Sequence, residues 1–307
     1  MTNGEIALEL PSVIVLLATY NGASHLGEQI RSLARQTNVR VHVLLSDDGS
    51  SDGTVKLACE EAAACDLSLT LLPQLPSTGS AARNFFRLFR DAEFTGYEFV
   101  ALCDQDDIWS DDKLELACSQ LAKSLADVYS CNVTAFWDNG QTKVLRKNYS
   151  QRRYDYLFES ASQGCTYVMR ASVAVRFAQM LAEREVEVSC IDFHDWLLYA
   201  WARSQNATWF MDAATCMRYR QTSSNVIGAN SGSAAIRRRI HLLRRGWLRG
   251  QAIRTAVSIG MGNDPVVEHL LRFTWRDRLI LAFRAAEFRR RRRDQMVFFM
   301  ACLTIGL

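Results

Sequence analysis

Phe99-Val100-Ala101-Leu102-Cys103-Asp104-Gln105-Asp106-Asp107 is the stretch that decides how this chain is read. Five apolar residues in an unbroken run have the length and composition of a strand buried on both faces. The run stops at three carboxylates within four positions. Carboxylates so close repel one another and gain nothing in a loop by themselves; a divalent cation reverses that balance. The plainer alternative is an exposed acidic turn that caps the helix expected from Lys113. Placement after a buried strand favours a ligand site over a cap.

The same grammar repeats on the N-terminal side. Val13 to Ala18 is a second continuous apolar run, and it stops at the turn cluster Thr19-Tyr20-Asn21-Gly22. Ser24 stands where a helix N-cap belongs, and Leu26, Ile30 and Leu33 follow at helical spacing. A strand from Val39 to Leu45 stops at Ser46-Asp47-Asp48-Gly49-Ser50, with Asp52 placed to cap the next helix. Leu67 to Leu72 reads as a third strand, and Gly79-Ser80 opens a helix carrying Phe85, Phe86 and Phe89. Beyond about residue 125 the pattern loosens. Val128 to Phe136 and Gly164 to Met169 read as strands, Asp138-Asn139-Gly140 as a hairpin turn, and Ala171 to Leu181 and Trp196 to Ala202 as helices. Residues 225–233 have the Gly, Ser and Asn content of a linker.

Strands alternating with helices of this length predict an α/β fold with a Rossmann-like, mostly parallel sheet flanked by helices. Ligands of such sheets sit beyond the carboxyl ends of the strands. Three polar clusters fall there: Thr19 to Asn21, Asp47-Asp48 and Asp104 to Asp107. The expected organisation is a catalytic domain over residues 1–230 and a basic, amphipathic helical extension over 231–307.

Charge supports that division. Net charge is only +3 over 307 residues, yet residues 231–307 hold 16 Arg or Lys against 5 Asp or Glu. The body is therefore acidic and the tail basic. Arg237-Arg238-Arg239, Arg244-Arg245 and Arg289 to Arg293 alternate with Ile240, Leu242, Leu243, Trp247 and Leu248, the pattern of a helix lying in an anionic membrane surface. A C-terminal helix packed on the body is the alternative. Nucleic acid is not expected, because the acidic body repels a phosphate backbone and no reader motif is present. Nine cysteines without C-x-x-C spacing argue against zinc and for free thiols in a reducing compartment. No apolar run reaches the ~18 residues of a bilayer span, and the N-terminus lacks a signal pattern. The expected place is the cytoplasm, peripheral to the inner face of the membrane.

Each polar cluster has a chemistry and a rival explanation. Asp104-x-Asp106 suits Mg2+ or Mn2+, which take hard carboxylate and phosphate oxygens. Asp47 or Asp48 can accept from a nucleobase or ribose, or can simply hold an Asx turn. Gly79-x-x-x-Arg83-Asn84 opens a helix whose N–H groups, with Arg83, suit a phosphate; a solvated Arg at a helix start is the alternative. In His194-Asp195-Trp196, Asp195 is either a base for an acceptor hydroxyl or a helix cap. Arg218, Arg220, Gln221 and Asn225 are placed to close over a diphosphate, or form an ordinary surface loop.

Taken in order, these segments resemble the family 2 glycosyltransferases of the GT-A fold. The matching residues are Ala18 to Gly22, Ser46 to Thr54, Gly79 to Phe86, Cys103 to Trp109 and His194 to Trp196, within residues 11–230. Asp-Gln-Asp-Asp-Ile-Trp is most similar to the rhamnosyltransferase branch that builds bacterial surface polysaccharides. The resemblance implies an inverting transfer from a nucleotide diphosphate sugar, with dTDP-rhamnose a candidate donor, to a saccharide acceptor that is lipid-linked. It places Thr19, Tyr20, Asn21, Asp47, Asp48, Arg83, Asp104 and Gln105 at the nucleotide sugar and Asp106 at the metal. Asp195 becomes the general base, and Gln163, Gly164, His194 and Trp196 line the acceptor side. One departure is Thr222, where many relatives carry His, although Asn225 and Gly228 are kept. The competing readings are a metal-dependent nucleotidyltransferase and a nucleotide-sugar-binding or membrane-tethered protein without catalysis.

Overall fold

Residues 9–221, 237, 241–304 and 306–307 are described by the computed structural model. The N-terminal half alternates as the sequence predicts: β1 Ser12–Thr19, α1 Ala23–Ala34, β2 Arg40–Asp47, α2 Thr54–Ala64, β3 Ser68–Leu71, α3 Ala81–Asp91 and β4 Phe99–Asp104. All eight residues of β1 are buried. At roughly 1.5–3 kcal/mol per large apolar side chain, such a run is stable only between two layers. The strands β3-β2-β1-β4 lie side by side and all run parallel.

The second half of the sheet is mixed. It adds β5 Ile108–Trp109, α4 Lys113–Ser124, β6 Val128–Phe136, β7 Thr142–Leu145, β8 Val168–Arg170, α5 Ala171–Glu183, α6 Glu185–Val188, α7 His194–Ser204 and β9 Trp209–Arg220. The nine-stranded order continues from β4 through β8, β6 and β9 to β5, and β7 hangs from β6. β8 is antiparallel to both β4 and β6, whereas β9 runs parallel to β6. The turn Asp138-Asn139-Gly140 does join the antiparallel pair β6 and β7.

Three local readings are corrected. Gly22, not Ser24, is the N-cap of α1. Gly53 is the N-cap of α2, while Asp52 accepts from Thr54 N and from Ala23 N and so ties the two helix starts together. The strand expected over Gly164 to Met169 is a 3-10 turn, Gly164–Thr166, followed by a strand only from Val168. β9, twelve residues long, was not anticipated. Its Asp212 and Ala213-Ala214 break the alternation, and its pairing with β6 carries register shifts.

The C-terminal helices are α8 Trp247–Ser258, α9 Pro265–Arg272, α10 Trp275–Phe283, α11 Ala285–Phe288 and α12 Arg292–Leu303. Among the described residues they do not stand apart. Ala252, Val266, Leu281, Phe288 and Phe298 belong to the same apolar core as Leu102, Tyr167 and Leu198. The side chain of Arg290 is 1% exposed, pairs with Asp155 (3.6 Å) and Glu159 (3.4 Å), and donates to Ser160 O. Arg289 donates to Phe158 O. These two arginines therefore face the body rather than a membrane. Trp247 likewise packs its ring on Phe193 and Trp196. Arg238, Arg239, Ile240, Thr222, Asn225 and Gly228 lie outside the described residues.

Candidate active site

Strand register brings the three polar clusters together. Thr19 of β1 stands beside Asp47 of β2, and Ala18 stands beside Asp104 of β4. Thr19, Asp47 and Asp104 thus end three adjacent parallel strands at one edge.

The loops at that edge are cross-tied. Gln105 accepts from Tyr20 N (2.8 Å) and donates to Tyr20 O (3.0 Å), which locks the turn after β4 to the turn after β1. A Cβ at position 22 would lie 2.3 Å from Gln105 Oε1, so a larger residue there would push the Gln105 side chain off Tyr20. Asn21 takes a left-handed backbone (φ 45°), accepts from Ser51 N and donates from its own N to Ser50 Oγ. Asp47 is buried. It accepts from the Thr19 and Ser50 hydroxyls and from Gly49 N and Ser50 N, and these hydrogen bonds hold its pKa below the usual carboxylate range against the cost of burial. Asp48 accepts from Thr78 N and Gly79 N and pins the loop before α3. Asn84 of α3, buried, donates to Thr19 O and Ser46 O and seats that helix on the ends of β1 and β2. Arg83 sits one residue away on an exposed position, where it donates to Ser189 O.

The carboxylates beyond β4 are crowded. Asp104 and Asp107 lie with Cys165 so that one ligand atom of each is within 4.8 Å of the others. Burial, then the charges of Asp106 and Asp195, push Asp104 up to about 7. Burial also raises Asp106, opposed by His25 and Arg220, and lifts Asp107 well above the ordinary range. Asp107 Oδ1 accepts from Arg220 N, which ties the end of β9 to this turn, whereas its buried Oδ2 has no hydrogen-bond partner among the described residues. Arg220 Nε also donates to Asp106 O. Carboxylates forced together with raised pKa values are a donor set whose repulsion a hard divalent cation would relieve. The residues therefore fit such an ion: Asp104 and Asp107, whose ligand atoms meet, are candidates to hold it, beside the expected Asp106, which is not part of that group. The Cys165 thiol is pushed well up by burial and stays protonated, a poor partner for a hard cation. Sequence spacing offered no sign of Cys165, because the 3-10 turn that carries it meets β4 only in the tertiary fold.

Asp195 lies near enough to this group for its charge to act on Asp104. It lies in the first turn of α7, whose N-cap is Phe193, so it is not the cap itself. Its Oδ1 accepts from Trp196 N at 2.8 Å. Burial raises its pKa to about 6; the Trp196 N–H, the Lys147 charge and the Ser160 hydroxyl pull it down. His194 stacks on Phe85 with centroids 3.8 Å apart, and burial lowers its pKa to about 3, so the imidazole is neutral. Gly164 lies against this helix start: a Cβ there would be 2.6 Å from His194 Nε2 and 3.1 Å from Asp195 Cβ. Gln163 precedes it in the same wall, its Oε1 accepting from Ser162 Oγ. Trp196 turns inward and donates its indole N–H to Tyr156 O. Lys147, which sequence reasoning did not single out, enters only through its position beside Asp195, Glu159 and Arg290.

Comparison with known proteins decides the family. The profile described as "Glycosyltransferase like family 2" matches residues 11–239. The chain belongs to this glycosyltransferase family. It is 33% identical over 290 residues to the dTDP-rhamnosyl transferase RfbG of Shigella flexneri, covering 94% of this chain and all of the relative. It is 24% identical over 222 residues to the UDP-Glc:alpha-D-GlcNAc-diphosphoundecaprenol beta-1,3-glucosyltransferase WfgD of Escherichia coli, covering 70% of this chain and 79% of that one. Among solved structures, S. aureus TarS 1-349 in complex with UDP-GlcNAc superposes with a TM-score of 0.57 at 15% identity, over 95% of this chain and 90% of that chain. Mannosyltransferase PcManGT from Pyrobaculum calidifontis, in complex with GDP-Man and Mn2+, gives 0.54 at 16% identity, over 96% and 86%. At that identity the structures attest the shared GT-A type fold. Membership of the family makes this glycosyltransferase an enzyme of sugar transfer rather than of nucleotidyl transfer.

Proposed function

We propose that the chain moves a sugar, rhamnose from dTDP-rhamnose, onto a saccharide acceptor with inversion at the anomeric carbon. The observation that supports this reading is the nearness of Asp195 to Asp104: Asp195 packs on Gly164, Cys165 beside it meets Asp104, and the Asp195 pKa lies near 6. A base poised close to neutral pH is what deprotonation of a sugar hydroxyl needs. Asp195 takes the hydroxyl proton as the oxygen forms its bond to the anomeric carbon. The bond from that carbon to the diphosphate breaks, and its electron pair leaves on the nucleoside diphosphate. Asp106 and Asp104 would hold Mg2+ or Mn2+, which supplies a positive charge for the leaving diphosphate. Tyr20, exposed, together with Asp48 and Arg83, belongs to the nucleotide side, and the stretch around Gln163 and Gly164 belongs to the acceptor side. The catalytic region is residues 1–230.

The dTDP-rhamnosyl transferase RfbG, with which the chain aligns nearly end to end, supports this donor. The diphosphoundecaprenol-borne acceptor of WfgD supports a lipid-linked acceptor at the inner face of the membrane. No helix among the described residues is long and apolar enough to cross a bilayer. Asp195→Asn tests the reading. It should keep nucleotide-sugar affinity, measured calorimetrically with Mn2+ present, and lose release of nucleoside diphosphate. Full turnover by Asp195→Asn would remove the assigned base.

A further inference from the structure

Two surface helices present apolar side chains where charge is the norm. α10 and α12 run antiparallel: Arg278 donates to Cys302 O (2.5 Å), and Phe283 meets Phe299 edge-on at 5.7 Å. Their inner faces are spent on the core, through Leu281 and Ala282 on one and Phe298, Ala301 and Cys302 on the other. Yet their outer faces carry Trp275, Ile280, Phe283, Met296, Val297 and Met300, all exposed, with Phe283 at 77% and Met296 at 70%. Positions 292, 296 and 300 form one stripe along α12, and 293 and 297 lie beside it. Six large apolar side chains exposed on two paired helices mark a candidate interaction surface.

Positive charge frames the patch. Arg276 on α10 and Arg292 and Arg293 at the start of α12 are exposed. Neither helix has an exposed acid: Asp277 is buried, and Asp294, partly buried, faces Arg291. An apolar centre with a rim of arginine alone matches an anionic lipid surface, whose phosphates meet the rim while its acyl boundary receives the centre. A second copy would bring arginine against arginine, and a nucleic acid would leave the apolar centre unused.

We propose that the outer face of α10 and α12 docks on an anionic bilayer. The place of this face relative to the cleft gives the contact a purpose. Arg290, two residues before α12, donates to Ser160 O, and the Ser160 hydroxyl acts on Asp195. The segment that starts the docking helix is therefore also the wall beside the acceptor side, and a lipid-borne acceptor would meet Asp195 from this edge. That consequence rests on the sugar-transfer reading; the docking does not.

The test is co-sedimentation of the full chain with vesicles of phosphatidylcholine, with and without phosphatidylglycerol. The chain should partition onto the anionic vesicles and far less onto neutral ones. The double variant Phe283→Asp with Met296→Asp, and the triple variant Arg276→Gln, Arg292→Gln, Arg293→Gln, should each lower the partition about tenfold or more. All five positions are solvent-facing, so melting temperatures should stay near the parent's, as should transfer to a water-soluble saccharide acceptor. Parent-like binding by both variants, or equal binding to neutral and anionic vesicles, overturns the proposal. So does conversion of a dimer to a monomer by the double variant with vesicle binding unchanged. If the variants lose vesicle binding while neither they nor the parent transfer sugar, docking stands and the transferase assignment falls.

Discussion

At the scale of single residues, Asp195 is set by a balance of opposing forces. Burial pushes its carboxyl up to about 6, and a backbone N–H, a lysine and a hydroxyl hold it from going further. A base works only when ionised, so transfer should rise with pH through about 6 and flatten above it. A pH–rate profile of kcat in the parent checks this, and a profile flat from pH 5 to 8 would remove Asp195 as the titrating base. Gly164 belongs to the same scale. A methyl group there meets His194 Nε2 at 2.6 Å, and His194 has little room to yield because its ring is stacked on Phe85. Gly164→Ala should therefore shift the start of α7 and cut kcat by about 10²-fold, the cost of misplacing a reacting group by about 1 Å, with nucleotide-sugar affinity nearly unchanged. Steady-state kinetics beside a binding isotherm would show whether the two quantities part in this way. What was legible at this scale is position: Asp47 and Asp104 end strands on either side of β1, as the sequence places them. The places of Cys165 and Lys147 were not, because the turn that carries Cys165 meets β4, and Lys147 comes beside Asp195, only in the tertiary fold.

Secondary-structure elements obey their local signals except where a neighbour overrides them. Ser80 caps α3 through Arg83 N as its residue type predicts. The segment at Gly164 tightens into a 3-10 turn because it has to pass beneath His194, so a strand-like run of residues fails to form a strand. β9 was missed for the converse reason: its alternation is broken, and pairing to β6 and β5, not its own pattern, makes it a strand. Asn84 shows how one side chain couples elements. It donates to two buried carbonyls at the ends of β1 and β2; Thr19 O keeps a second donor in Asp48 N, and the loss of a bond to such a group costs about 1–3 kcal/mol. Asn84→Ala should lower stability by roughly 1–3 kcal/mol, read from chemical denaturation. A loss under about 0.5 kcal/mol would mean that water replaces both bonds.

For the whole molecule, the basic tail acquires two faces. Arg290 is inside, near Asp155 and Glu159, with Arg203 and the Tyr199 hydroxyl completing the shell around Asp155. Removing one partner of a buried charge cluster typically costs about 3–5 kcal/mol, because the remaining charges lose their compensation. Arg290→Met should thus destabilise the chain by about 3 kcal/mol or more, in a single transition if the C-terminal helices and the sheet share one core. Two separated transitions in calorimetry would show instead that the helices melt on their own.

The chain by itself determined the alternation of buried strand and helix, the carboxylates at the strand ends and the family to which they belong. These are local matters: an apolar run of five or six residues has a single low-energy place, between layers, and the polar residues that end it are then left at one edge of the sheet. Only the tertiary structure decided that Asp104 and Asp107 meet at Cys165, that Asp107 answers to β9, and that in a run of five arginines Arg290 is buried while Arg292 and Arg293 face solvent. The reason is that charge and hydropathy along a chain set what a helix can offer. Which face is covered depends on what packs against it, here the turn at Asp155 to Ser160, more than 130 residues away.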